Sequence, residues 1–233
     1  MATKNVTLDE IGSVTLYKRR GNRSLRLSVS PRGEVRVSMP HWLPYKAGEQ
    51  FALSKASWIL AHQPATLQTG LQHGQRIGKA HRLYFASDYS ASKVSTRVGQ
   101  GEIRVTHPAA TASNHQNVQA PARRAGMRAL RKEAAQLLPQ RLQTLSEKTG
   151  LAYHAVKVKP LKTRWGSCSS AKDITLNIFL MQLPWHLIDY VLVHELAHTK
   201  VMRHGPPFWQ ELEKHVPLAR QLRKEIGQFQ PTF

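Results

Sequence analysis

Apolar and polar residues alternate along much of the first hundred residues, a pattern typical of β-strands. Alternation predicts a strand over Val14–Tyr17 and a hairpin formed by Ser24–Val29 and Glu34–Met39. Ser30–Gly33 joins these two strands with residues that favour tight turns. The spacing becomes helical between Tyr45 and His62, which predicts one helix there.

Short strands punctuated by glycine return between Gly70 and Val105, and Gly99–Gly101 is typical of a hairpin turn. The stretch His107–Pro121 is polar and without period, which indicates a linker. We therefore expect two parts: a β-rich N-terminal subdomain over residues 1–110 and a second domain over residues 111–233.

Helical spacing then dominates. Leucines recur through Ala122–Lys148, which predicts a long helix with Gly150 as its C-cap. Pro139 lies inside that helix and is expected to kink or break it. A final amphipathic helix is predicted from Pro206 to Ile226.

Between these helices the pattern predicts a small sheet. Val156–Lys159 alternates as a strand, and Ile174–Ile178 is expected to pair with the segment Thr163–Ser170. A helix then starts at Pro184, and its apolar positions continue as far as His194. Strands and helices that follow one another in this way predict an α+β fold.

The helix at His194 carries the sequence His-Glu-x-x-His. His194 and His198 are four residues apart, so their side chains share one helix face and can point at one metal ion. Glu195 lies about 100° further round the helix. A carboxylate there can take a proton from water at the metal without occupying a ligand position.

Three protein ligands and one open position are usual for catalytic zinc. His204 is the strongest candidate for the third ligand, because Gly205 and the two prolines after it end the helix and allow a turn back. Glu211 and His215 on the last helix are alternatives. The apolar residues before His194 indicate a buried motif, and unpartnered buried histidines would be costly. We therefore expect a site for one Zn²⁺ ion.

Charge adds a second property. The chain has 34 Lys and Arg against 14 Asp and Glu, a formal net charge of +20. Residues 121–164 hold 11 of the basic residues and 2 of the acids, whereas residues 165–233 hold 7 and 6. Such an excess attracts polyanions, so nucleic acid is a candidate partner of the basic surface. It is equally typical of a merely solvated surface.

Cysteine content and hydropathy bear on location. Cys168 is the single cysteine, so no intrachain disulfide can form. No apolar run approaches the roughly 20 residues that span a bilayer, and the first residues lack an apolar core of the secretory kind. We therefore expect a cytoplasmic protein without a membrane span.

A group of motifs resembles the YgjP-like metallopeptidase family, which is related to the SprT and WLM zincins. These motifs are His194-Glu195-Leu196-Ala197-His198, His204, Phe208-Trp209, Arg164-Trp165-Gly166-Ser167-Cys168, Leu176-Asn177 and Leu183-Pro184. The resemblance covers nearly the whole chain. It implies a zincin-like domain, with the metal helix packed on a small sheet and a β-rich N-terminal part.

The same resemblance implies that His194, His198 and His204 bind the metal and that Glu195 is the base. Metzincins share these histidine offsets but have glycine where this chain has Val201, so their tight turn is not expected here. The chain must bend later, between Arg203 and Gly205.

The segment before the metal helix is the candidate substrate site. In zincins an edge strand beside the metal helix pairs with an extended peptide, and by resemblance this strand contains Trp165. Arg164 can bind a carboxylate or phosphate. The candidate substrate-binding residues are Arg164, Trp165, Gly166, Ser167 and Asn177.

A zinc metallopeptidase acting on peptides or proteins is the function these motifs favour. A metal-dependent nucleotide pyrophosphatase would use the same histidines and Glu195, and the basic excess suits its anionic substrate. A third reading is a nucleic-acid-associated protease or DNA-binding protein.

Overall fold

A computed structural model describes residues 3–8, 11–30, 33–62 and 70–231. The chain forms two compact units, Met1–Gly70 and Leu71–Phe233. Across those described ranges, no helix is both long and apolar enough to cross a membrane.

The first unit is a four-stranded sheet with two helices. The strands are β1 (Thr3–Leu8), β2 (Gly12–Arg19), β3 (Arg26–Val29) and β4 (Val35–Pro40), in the order β1-β2-β4-β3. Alternate residues of β2 and β4 point into one apolar core, as their two-residue period predicts. That core contains Val14, Leu16, Val35, Val37, Met39, Ala52 and Ile59.

The predicted hairpin is present. β3 and β4 pair antiparallel, with Val29 opposite Val35. The amide of Gly33 donates to the carbonyl of Ser30 at 2.7 Å, while the middle of the predicted turn, Pro31 and Arg32, lies outside the described residues. Strand β1, which no strong alternation indicated, pairs antiparallel with β2.

The single helix predicted over residues 45–62 is wrong in one respect. Two helices occupy that stretch, α1 (Tyr45–Leu53) and α2 (Ala56–His62), separated by Ser54 and Lys55. The Ser54 hydroxyl donates to the carbonyl of Phe51 at 2.9 Å. This bond satisfies a carbonyl at the end of α1, where helices leave carbonyls without an intrahelical partner, and so stabilises the end of the first helix.

The second unit begins with a three-stranded sheet. Its strands are β5 (Arg82–Asp88), β6 (Ser95–Val98) and β7 (Glu102–Pro108), with β7 in the centre. β6 and β7 form the hairpin predicted at Gly99–Gly101. Gly101 has a φ of 78°, a left-handed conformation that glycine adopts without strain.

A 34-residue helix, α3 (Gln116–Thr149), follows and packs against both sheets of this unit. It ends at Gly150, the predicted C-cap, which has a φ of 70°. Pro139 does not break the helix, because buried leucines on both sides of it, Leu138 and Leu142, hold the helix against the core.

The start of α3 corrects the predicted linker. The helix begins at Gln116, so part of the polar stretch 107–121 is helical. Gln119 explains why: its side-chain oxygen accepts from the amide of Leu71 at 2.7 Å, and its side-chain nitrogen donates to the carbonyl of Ser113 at 2.8 Å. These bonds bury a polar residue that the hydrophobic pattern places at a surface.

One apolar core runs through the second unit. It joins residues of β5 and β7, such as Leu83 and Val105, to α3 and to the helices after it. The chain divides by contacts after Gly70, and the elements on both sides of the predicted boundary at 110/111 belong to the second unit. The physical reason is the packing of β7 on α3, two elements that adjoin that boundary.

The second sheet and the helix behind it complete the fold. The strands are β8 (Ala155–Lys159), β9 (Gly166–Cys168) and β10 (Asp173–Asn177), in the order β8-β10-β9. A 3-10 turn (Ile178–Gln182) leads into helix α4 (Trp185–Ala197), which packs on β9 and β10. The last helices are α5 (Pro206–His215) and α6 (Ala219–Ile226), where one helix was predicted.

A buried carboxylate connects the first sheet of this unit to α3. The Glu133 carboxylate accepts from the backbone amides of Lys79, Ala80 and His81 at 2.5, 3.0 and 3.0 Å, and it contacts the His81 ring nitrogen at 2.5 Å. Burial alone would raise the pKa of Glu133, but these four partners outweigh burial and lower it. Gly78 lies so close to Glu133 that a side chain would collide with it.

We predict that Glu133→Gln lowers the free energy of unfolding by about 2–3 kcal/mol, because an amide has one acceptor oxygen and leaves a buried donor unpaired. Denaturant unfolding measures this, with Glu147→Gln as a control at an exposed carboxylate on the same helix. The folded pKa of Glu133 is lowered, so its contribution is present above the ordinary pKa of 4.5 and is lost as the pH falls through the folded pKa. Equal effects of the two substitutions would contradict the prediction.

Candidate metal centre

Helix α4 carries two of the candidate ligands at its C-terminal end. His194 lies in the last turn, and His198 is the C-cap. The four-residue spacing places their rings 4.9 Å apart, centroid to centroid. The helix reaches this position because its other faces are buried in the core, with Leu187, Ile188, Leu192 and Leu196 all fully enclosed.

A turn after α4 brings in His204. Gly205 is the N-cap of α5, and Pro206 and Pro207 occupy its first two positions, where proline is well tolerated. Phe208 follows and is fully buried. Its ring lies 4.8, 4.4 and 4.8 Å from the rings of His194, His198 and His204, and so packs against all three imidazoles.

The three Nε2 atoms converge. His204 Nε2 lies 3.0 Å from that of His194 and 3.1 Å from that of His198. A tetrahedral zinc ion with Zn–N distances of ~2.0–2.1 Å requires ligand nitrogens about 3.3 Å apart, close to this spacing. Nitrogens so near one another need a shared cation or proton between them, so the donor set fits one metal ion.

The protonation states suit metal binding. Burial, followed by the charges of His198 and His204, lowers the pKa of His194 to about 3. Burial also lowers the pKa of His198, although its bond to Val201 opposes this. The His198 Nδ1–H donates to the Val201 carbonyl at 3.0 Å, which leaves Nε2 with its lone pair toward the cluster. The carbonyl of Val201, at the position where metzincins have glycine, thus fixes the orientation of the His198 ring.

The alternative third ligands lie elsewhere. Glu211 accepts from Lys200 at 2.9 Å and from Lys214 at 2.7 Å. These bonds lower the pKa of Glu211 to about 2, so it stays ionised. His215 lies 3.6 Å from Glu211. Because Lys200 belongs to the turn after α4, the Glu211 pair ties that turn to α5 and helps to place His204.

Glu195 is buried beside the histidines. Burial raises the pKa of its carboxyl to about 8, and the positive charge of Arg164 opposes this rise. Gly166 of β9 packs against it: a Cβ at this position would lie 2.5 Å from Oε1 and 2.7 Å from Cγ of Glu195. The absence of a side chain at Gly166 therefore allows the carboxylate to lie against β9.

A cleft of about 620 Å³ opens above these residues. The three histidines and Glu195 line it, as do four of the five predicted substrate-binding residues. Those four are Arg164, Trp165, Gly166 and Ser167. Cys168 also lines the cleft, and burial followed by the charge of Glu195 raises the pKa of its thiol to about 11.

Asn177, the fifth, is fully buried and does not line the cleft. Its side-chain nitrogen donates to the carbonyls of Leu161 and Arg164 at 3.0 and 2.7 Å, and its side-chain oxygen accepts from the amides of Leu161 and Phe179. Its own amide donates to Trp165 at 2.9 Å. Asn177 thus shapes the loop before β9, which favours positioning over substrate contact.

Six further cleft residues were not predicted: Thr163, Tyr190, Val191, Met202, Arg223 and Ile226. Tyr190 precedes His194 by one helical turn and lies on the same helix face, so this spacing could have predicted its place in the cleft. Arg223 comes from α6, and no local pattern relates that helix to the metal helix.

The fold and site define a zincin-like class of protein, in which a helix carrying His-Glu-x-x-His packs on a small sheet with a third histidine beyond it. A family model described as YgjP-like, metallopeptidase domain, matches residues 23–229. The chain belongs to this family. A metal-dependent peptidase is the general function that membership supports, and the predicted family and fold class are confirmed.

Solved structures and curated sequences were also compared. The chain is similar to the metallopeptidase zymogen of Pyrococcus abyssi abylysin, with 28% identity, a TM-score of 0.37, and coverage of 40% of this chain and 93% of that one. It is also similar to the metallopeptidase zymogen of Methanocaldococcus jannaschii jannalysin, with 23% identity, a TM-score of 0.35, and coverage of 39% of this chain and 93% of that one. No curated protein sequence matches the chain.

We predict that His204→Ala weakens zinc binding at least about 100-fold, because one of three converging nitrogens is removed. Calorimetric titration of the metal-free protein measures the affinity. Zinc should also raise the melting temperature of the wild type much more than that of the variant. His186→Ala, at the start of the same helix and bonded to Glu225, is the control. Zinc affinity unchanged in His204→Ala would exclude this ligand set.

We also predict that Gly166→Ala lowers the rate of peptide hydrolysis at least about tenfold with zinc content unchanged, because its Cβ displaces the Glu195 carboxylate. Gly99→Ala is the control, since a Cβ there meets its nearest atom at an ordinary 3.7 Å. A fully active Gly166→Ala enzyme would show that the Glu195 position is not critical.

Proposed function

We propose that this protein is a zinc-dependent peptidase in which His194, His198 and His204 hold one zinc ion and Glu195 is the general base. The convergence of three Nε2 atoms, at 3.0 and 3.1 Å, beside a buried carboxylate is the observation that carries this proposal. Both features lie in one open cleft.

The ligand chemistry favours zinc. Three imidazole nitrogens without a cysteine are typical of catalytic zinc sites, whereas closed structural sites are often rich in cysteine. When bound, the ion would polarise the scissile carbonyl and lower the pKa of a water toward ~7.

Glu195 supplies the proton transfers. Without a metal, burial raises the pKa of Glu195 to about 8, and the charge of a bound zinc ion would lower it again, so that the ionised carboxylate could accept a proton from the attacking water and return it to the leaving amine. The positive charge of Arg164 also opposes the rise in the pKa of Glu195. Gly166 lets the carboxylate stand close to the strand, where it faces the cleft.

An extended peptide suits the shape of the site. β9 is at the edge of its sheet, and its three residues line the cleft. A peptide can add to such an edge by main-chain hydrogen bonds and so lie across the metal centre. Trp165 provides an apolar contact next to that edge. The comparisons give no support to a nucleotide or nucleic-acid partner.

We predict that Glu195→Gln retains one zinc ion and lowers kcat for peptide hydrolysis by about 10²–10⁴-fold, because the amide cannot accept a proton. Zinc content by elemental analysis and hydrolysis of a quenched peptide pool measure the two quantities. Glu225→Gln makes the same chemical change at a carboxylate that pairs with His186, and it should leave kcat unchanged. Wild-type turnover by zinc-loaded Glu195→Gln would disprove the proposed mechanism.

A further inference from the structure

Two arginines line the cleft, and they come from different elements. Arg164 precedes β9 and acts on Glu195, whose pKa its charge lowers. Arg223 belongs to α6 and lies near the metal helix: burial raises the pKa of Tyr190 and the charge of Arg223 opposes this, while burial and, to a smaller extent, that charge lower the pKa of His194. Among the lining residues that the structure describes, Glu195 is the only carboxylate.

Arg223 is held in place by an aromatic ring. Its guanidinium carbon lies 5.1 Å from the centre of the Trp209 ring, and Trp209 is buried. A cation at this distance from an aromatic ring is attracted to it, which restricts a long flexible side chain, and the guanidinium N–H groups remain able to donate in the guanidinium plane.

Arg223 lacks an internal acidic partner in the described part of the chain, and Arg220 shows the contrast. Arg220 is on the same helix, and its guanidinium carbon lies 4.9 Å from the centre of the same ring, but its Nε donates to Glu213 at 2.8 Å. Other basic side chains near the site are also paired: Lys200 and Lys214 bond Glu211. In the described part of the chain neither cleft arginine, Arg164 or Arg223, forms an ion pair, and Arg223 is the one whose charge does not act on Glu195.

We propose that Arg223 binds a carboxylate of the substrate, so that the enzyme prefers peptides with an acidic side chain or a free C-terminus near the cleaved bond. This inference rests on the proposed peptidase function. A guanidinium donates two parallel hydrogen bonds to a carboxylate, a geometry a lysine cannot match. Since Glu195 is the only carboxylate among the described lining residues, a carboxylate that pairs with Arg223 would come from the substrate.

Arg223 is a better test of this subsite than Arg164. Removing Arg164 would also alter the pKa of Glu195 and so change the chemical step. Arg220→Gln is the matched control for Arg223→Gln, because both substitutions remove a cation from the Trp209 ring and only one removes a cation from the cleft.

The experiment uses zinc-loaded full-length protein and one cleavable peptide in four forms. Three forms have blocked termini and carry glutamate, glutamine or lysine near the cleaved bond. The fourth is the glutamine form with a free C-terminus. Glutamate is scanned through each position flanking the bond. We expect kcat/KM for the best carboxylate form to exceed that of the capped glutamine form about tenfold, as for a hydrogen-bonded ion pair partly screened by water. The ratio should shrink as salt rises.

Arg223→Gln should reduce this ratio to about one, and Arg220→Gln should keep it. Comparing the capped glutamate form with the free C-terminus identifies the source of the carboxylate. A wild-type ratio near one, or a ratio that survives Arg223→Gln, would overturn the proposal. Equal loss in both arginine variants would overturn it too, because the effect would then come from packing on Trp209.

A binding measurement separates this proposal from the peptidase function. Zinc-loaded Glu195→Gln is titrated with the glutamate and glutamine forms, alone and combined with Arg223→Gln. Preference for glutamate that depends on Arg223, without hydrolysis by the wild type, would support the carboxylate site and contradict the peptidase. Hydrolysis without any charge preference would support the peptidase function and contradict the carboxylate site.

Discussion

The packing of Phe208 against three imidazoles is the contact on which the candidate metal centre depends. Two of these histidines belong to α4, the third belongs to the turn after it, and Phe208 belongs to α5. A single fully buried ring therefore fixes three separate segments relative to one another. Since interiors are close-packed, a smaller side chain here would leave a cavity directly beneath the ligands.

On the side of β9, the backbone of the strand and of the loop before it, rather than bulky side chains, forms the site. Asn177 holds the loop that ends at Trp165, and Gly166 then brings the strand against Glu195. The carboxylate is thus confined between α4 and β9. The proposed catalytic base and the proposed peptide-binding edge are positioned by the same short strand, so a change in one would move the other.

The sequence predicts the centre of the site well because its geometry is local. His194 and His198 are related by helical periodicity, and Gly205 marks the turn that returns His204. The lengths of helices are predicted less well. Gln119 extends α3 through hydrogen bonds to Leu71 and Ser113, contacts between residues that no periodicity connects. Arg223 was missed for the same reason, since its place in the cleft follows from the packing of α6 on α4.

The edge strand β9 also has a consequence for how two copies of this protein meet. An unpaired strand edge is a template for another strand, and one exposed in a cleft invites association between copies. Here Arg164 and Arg223 flank that edge. Two identical edges approaching each other would bring four guanidinium groups together, and their repulsion opposes the pairing. The positive charge in this cleft thus opposes the approach of a second copy of the same strand edge.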